Sequence, residues 1–171
     1  MPFHDLIPDP DHEIQIGLLI SMLDDVTKEW REEMGDVSID DITWQPFPGG
    51  HSIGGLLLHM VEVEHFWIHS VASDVSLTPE EIETLMSENI DQYGISWPTP
   101  HAKPLSWYFD LQDTYRAKTK AYLLNLKEPE TKAKHNQSEF TLRWIVQHVV
   151  AHEAYHGGQA VLLSLMRSRM P

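Results

Sequence analysis

Three histidines recur at four-residue spacing near the end of the chain, in the run His148-Val149-Val150-Ala151-His152-Glu153-Ala154-Tyr155-His156. If that run is helical, residues four apart lie ~40° apart around the axis and ~6 Å apart along it. His152 and His156 can then converge on one ion, as can His148 and His152. Imidazole is the commonest protein ligand for zinc and also suits nickel, copper and iron. A further ligand must come from elsewhere in the fold, and the chain offers His59.

The chain has no cysteine, so thiolate ligands and disulfides are excluded and any metal is held by nitrogen and oxygen. Lys and Arg number 12 against 26 Asp and Glu, a net charge of −14 that argues against nucleic acid and anionic membrane surfaces as partners. Apolar stretches are interrupted by His and Glu, and residues 1–10 are acidic and proline-rich with no apolar signal core. The expectation is a cytoplasmic protein forming one domain over residues 1–171.

Four long helical segments joined by Pro- and Gly-rich stretches must position the histidines. The first covers about residues 11–34, with Ile14, Leu18, Met22, Val26 and Trp30 as its inward stripe and Gly35 as its stop. The second covers about residues 53–71 behind Ser52 as N-cap. The third covers about residues 105–126, and the fourth about residues 141–169 behind Thr141. Thr78-Pro79-Glu80-Glu81 marks a short helix over about residues 79–86. No strand pattern stands out. The fold class is all-α, an antiparallel four-helix bundle, either up-and-down or with a crossover.

On a helical wheel His59 shares a stripe with Leu56, Val63, Phe66 and Trp67 and so faces the interior. Glu62, His65 and His69 are assigned to a solvated face. Around His152, the neighbours Ile145, His148, His156, Gln159 and Leu163 form one largely apolar stripe. The bland reading of such a stripe is a seam of imidazoles bonded to one another or to water. Burying unsatisfied rings is costly, and a metal satisfies several at once.

Two Glu-x-x-His pairs, Glu62 with His65 and Glu153 with His156, raise a ferritin-like di-metal carboxylate site as an alternative. It fits poorly, because Glu153 sits ~100° from His152 and the first and third helices offer no clearly inward acid. There is no P-loop, no Gly-x-Ser-x-Gly elbow and no His-Glu-x-x-His motif. The pairs Gly54-Gly55 and Gly157-Gly158 read as close-packing positions inside helices.

The pattern His148-x-x-x-His152-Glu153-x-x-His156-x-Gly158-Gln159, with the stretch Pro48-Gly49-Gly50-His51-Ser52-Ile53-Gly54-Gly55-Leu56-Leu57-Leu58-His59, resembles the DinB/YfiT-like superfamily. The resemblance implies a four-helix bundle that binds one divalent transition metal through His59, His152 and His156, with His148 at a position that does not ligate. Zinc or nickel is the first choice, with iron, manganese or cobalt as others. Gly157 departs from the family pattern, where a polar residue often precedes Gly-Gln, and bears on substrate contacts. The resemblance further implies a metal-dependent enzyme, either a small-molecule transferase using a low-molecular-weight thiol or a hydrolase. The alternative is a non-catalytic metal- or small-molecule-binding protein of a stress response. The discriminating feature is whether the fourth coordination position is open or sealed by Gln159 or Glu64. A homodimer is expected from the same resemblance and from the abundance of large apolar residues, six Trp among them.

Overall fold

The first long helix, α1 (Ile14–Met34), begins where the Glu13 carboxylate accepts hydrogen bonds from the backbone N–H groups of Gln15 and Ile16. It ends at Gly35, whose φ of 67° suits glycine. These features belong to a computed structural model describing residues 4–91 and 94–170. The expectations for residues 1–10 and for one domain over residues 1–171 therefore fall partly outside the described residues.

A short α2 (Ile39–Thr43), closed by a Ser38/Asp41 capping box, leads into α3 (Ile53–His65). Ser52 caps α3 as expected, accepting from the Gly55 N–H. The helix continues without a break as a π-helical segment, Phe66–Val71. Thr78 and Glu81 then form a capping box around Pro79 at the start of α4 (Pro79–Leu85). The last two long helices are α5 (Leu105–Leu123) and α6 (Leu142–Arg167), the latter capped by Thr141.

Contacts along the helices give their directions. Gln15, Trp30 and Met34 of α1 meet Arg143, Glu153 and Ser164 of α6 in that order, so these two run parallel. Gly54 and Glu64 of α3 meet Tyr108 and Arg116 of α5, so these also run parallel. His59 and Trp67 of α3 and its continuation meet His152 and Trp144 of α6, which is antiparallel. The bundle is therefore the crossover form. The described residues between 72 and 104 lie along the chain's return over the length of the bundle, and α4 is among them.

Two features depart from the sequence reading. Lys132–His135 (β1) and Ser138–Thr141 (β2) form an antiparallel hairpin, in register Lys132 with Thr141 and His135 with Ser138. The signal was present but short: alternation on both sides of Asn136-Gln137, with Asn136 adopting the positive φ (54°) that tight hairpin turns require. The stripe assigned to α1 is also shifted. Ile14 and Met22 are exposed, while Ile16, Ile20, Leu23, Trp30 and Met34 are buried. A strict four-residue repeat drifts ~40° at each step and walks off the core face within three turns.

Candidate metal centre

His59 on α3 and His152 and His156 on α6 come together between those helices. One ring nitrogen from each lies within 4.8 Å of the other two. Ring centroids are 4.9 Å apart for His59–His152, 4.9 Å for His59–His156 and 4.4 Å for His152–His156. His59 and His156 are buried and His152 half-buried. The antiparallel contact of α3 with α6 brings the two stripes face to face, as the helical periodicity required.

The donor chemistry fits a divalent ion. His152 Nε2 is buried and has no hydrogen-bond partner among the described residues. Burial, reinforced by the neighbouring His156, His59 and His148 rings, pushes His152 down to about 3, so its imidazole is neutral and its lone pair available at neutral pH. His156 is likewise lowered, first by burial and against the opposing effect of Gln159. His156 Nδ1 lies 2.7 Å from Gln159 Oε1. With Nδ1–H donated to that carbonyl oxygen, Nε2 is left as the donor, the usual outer hydrogen bond of a metal-ligating histidine.

Neither side chain named as a seal for the fourth position acts as one. Gln159 is the partner of His156. Glu64 turns away into a buried ionic network, where Arg116 Nε and Nη2 donate to its carboxylate at 3.0 and 3.1 Å. Arg116 Nη2 also donates to Glu153, and Thr27, Trp30 and Gln112 donate to Glu153 as well. Glu153 therefore ties α6 to α1 and α5, one residue beyond His152. Of the two Glu-x-x-His acids that a ferritin-like di-metal site would use, Glu153 is thus engaged elsewhere.

The assignment of Glu62, His65 and His69 to a solvated face is corrected. His65 and His69 are buried, their rings stacked 5.1 Å apart and flanked by Tyr115 and Tyr122 of α5. Three positions along a helix is ~300°, which places Glu62 only ~60° from His59 rather than behind it. The Glu62 carboxylate lies 3.8 Å from His59 Nδ1, and burial pushes it up to about 7. The glycines also divide. Side chains press on Gly54, Gly55 and Gly157, but nothing lies within 4 Å of a Cβ at Gly158. A Cβ at Gly157 would meet the Trp30 ring at 2.6 Å, so this position faces α1 and not the histidine cluster.

A cavity of about 850 Å³ opens over His59 and His152. Glu62, Phe66 and Trp67 line it from the α3 side, His148 from α6, and Ser87, Ile90 and Asp91 from the crossover. His135 and Asn136 reach it from the tip of the hairpin. These hairpin and crossover residues were not found from sequence, because they come from irregular segments whose partners are distant in the chain.

A family model described as mycothiol-S-transferase matches residues 18–165. The chain belongs to the mycothiol-S-transferase family. The match takes in most of α1 and α6, all of α3 and α5 and both histidine-bearing segments, and the family is DinB/YfiT-like, in accord with the resemblance seen in the sequence. A comparison with curated proteins finds no match. Membership of the mycothiol-S-transferase family supports transferase chemistry with a thiol, and nothing in it points to a hydrolase. No helix among the described residues is long and apolar enough to cross a membrane.

Proposed function

We propose that the protein is a metal-dependent transferase that joins a low-molecular-weight thiol to an electrophilic small molecule, with His59, His152 and His156 as the metal ligands. The observation that carries this reading is the position of the triad: two of its three rings lie on the floor of an open cavity, and both candidate sealing residues are engaged elsewhere. Three neutral imidazoles would leave a divalent ion its full charge and an open position. The chemistry an ion supplies there is to lower the pKa of a thiol towards neutrality.

The protein's own contribution is geometric. Gln159 fixes the His156 ring, the Arg116 network fixes α6 against α1, α3 and α5, and the aromatic wall of Phe66 and Trp67 keeps water from one side of the cavity. In the transfer itself the sulfur forms a bond to the electrophilic carbon, the leaving group departs with its bonding pair, and the thiol proton passes to solvent.

The test pairs metal analysis with turnover. Protein purified without an affinity tag should contain one zinc, nickel or other divalent ion per chain, and mycothiol should be consumed with an alkylating electrophile such as monobromobimane faster than without enzyme. Stoichiometric metal without thiol turnover would favour a binding protein instead. The same reading takes the protein to be a single-domain, cytoplasmic homodimer. The exposed Tyr155, Leu162, Leu165 and Met166 on the outer face of α6 support a self-association surface, and light scattering that gives the monomer mass would remove this part.

A further inference from the structure

The three imidazoles of the triad are held in different ways. His152 and His156 share α6, and Gln159 of the same helix braces His156. His59 comes from α3, and its ring meets a side chain from a distant part of the chain. The ring centroids of His59 and Trp97 lie 5.4 Å apart with their planes at 67°, an edge-to-face contact.

Trp97 lies in the crossover, outside any helix or strand, yet it is buried. It is fixed from several sides. Its backbone N–H donates to the Gly49 carbonyl at 2.8 Å, and its own carbonyl accepts from Gln45 Nε2 at 3.0 Å. The indole N–H donates to the Asp91 carbonyl at 2.9 Å. The His51 ring packs on the indole at 4.0 Å with the planes 32° apart. Gly55, one turn before His59 on the same face of α3, leaves room for it: a Cβ there would stand 3.0 Å from Ser52 Oγ and 3.2 Å from indole Cε3. An imidazole that ligates a metal must keep its ring orientation, and a flat neighbour anchored at both backbone and ring nitrogen limits that rotation. The same indole N–H pins the backbone at Asp91, which lines the cavity with Ser87 and Ile90.

We propose that Trp97 is a positioning residue of the metal centre: its ring sets the orientation of His59, and its N–H holds the crossover rim of the cavity at a fixed place relative to that ligand. The consequence for metal affinity rests on His59 being a ligand, as in the proposed function; the hold of the indole on the His59 ring does not. Trp97 touches neither the thiol nor the electrophile in this role and acts only through His59 and Asp91.

The test compares the full-length wild type with Trp97→Phe, Trp97→Leu and Gly55→Ala, each checked for helix content by circular dichroism. Zinc affinity is read by chelator competition, and ligand geometry by the visible absorption of the cobalt-substituted protein. Trp97→Leu should weaken zinc about tenfold or more and alter the cobalt spectrum. Trp97→Phe keeps a ring against His59 and lacks the N–H, so zinc affinity should return to within about threefold of wild type. Amide exchange over residues 87–91 should quicken in both. Gly55→Ala favours the helix but presses a methyl on the indole, and should weaken zinc several-fold with α3 intact; it carries the test if Trp97→Leu does not fold. In the metal-free wild type, the His59 ring protons should show a ring-current shift in NMR spectra that Trp97→Phe retains in part and Trp97→Leu loses. Wild-type affinity and cobalt spectrum in Trp97→Leu or in Gly55→Ala, or losses as large in Trp97→Phe as in Trp97→Leu, would overturn the proposal. If the wild type binds no stoichiometric metal yet the ring-current shift is present, the metal reading fails and the hold on His59 stands. If the wild type and all three variants bind metal alike, the reverse holds.

Discussion

Gln159 holds His156, Oε1 to Nδ1 at 2.7 Å, from one turn further along α6. One helix thus supplies two imidazoles and the brace for one of them, because spacings of three and four residues both return to the same face. Gln159→Leu should leave the fold intact, by circular dichroism, and weaken divalent-metal affinity by about 10- to 100-fold. A chelator-competition titration reads this directly. Unchanged affinity would mean that the bond does not orient the ring.

Removal of the ligands themselves should have a sharper effect. His59→Ala and His152→Ala should each abolish stoichiometric metal in elemental analysis, whereas His65→Ala should retain it. His65 and His69 share α3 and its continuation with His59, but their rings face α5. Loss of metal in His65→Ala with retention in His59→Ala would reverse the assignment.

Arg116 sits between two buried carboxylates, Glu64 and Glu153. Burial opposes its charge, yet the two acids outweigh that and hold it protonated. Arg116→Met would leave both carboxylates buried without their cation, at a cost of about 3–5 kcal/mol in urea unfolding. Glu64→Gln, which keeps an acceptor for the guanidinium, should cost clearly less. Equal losses would show that packing, not charge, decides the effect.

The two adjacent glycines of α6 should respond with opposite signs. Gly157→Ala forces a methyl against the Trp30 ring, 2.6 Å from its nearest atoms, and should destabilise by about 1–3 kcal/mol. Gly158→Ala meets open space in mid-helix and should stabilise by about 0.4–1 kcal/mol. Thermal melts of the two single variants decide this.

Acid should loosen α4 in a defined window. Glu81 is held down to about 2, first by the hydrogen bond from Lys118 and then by the Thr78 backbone N–H. A carboxylate whose folded pKa lies below its unfolded value of 4.5 adds stability that is complete above 4.5 and is lost as pH falls through about 2. Glu81→Gln should therefore lower the melting temperature at pH 7, with the difference from wild type shrinking between pH 4.5 and 2. A constant difference across that range would remove the linkage.

The regular parts of the molecule were legible in the sequence because they rest on local rules. Ser52, Thr78 and Thr141 cap the helices expected of them, and the stripes around His59 and His152 do meet. Where the reading failed, a non-local contact or an arithmetic drift intervened. His65 and His69 are buried because α5 runs parallel to α3 and covers that flank, which follows from the crossover and not from the helix that carries them. Ile14 and Met22 were misplaced by extending a four-residue repeat beyond the length over which it stays on one face. The hairpin residues His135 and Asn136 reach the cavity only because the hairpin after α5 packs against the π-helical turn.

That hairpin separates two design variables. The bundle fixes where the three imidazoles meet, but the height of one cavity rim is a count of residue pairs in a two-stranded ribbon. Lengthening both strands by two residues would raise the rim by about 7 Å and return the same side-chain faces inward, whereas one residue each would raise it half as far and turn them outward. A chain with the same floor could therefore be given a deeper or shallower cavity by insertions or deletions in pairs between Ala133 and Phe140, leaving the bundle's own packing as it is.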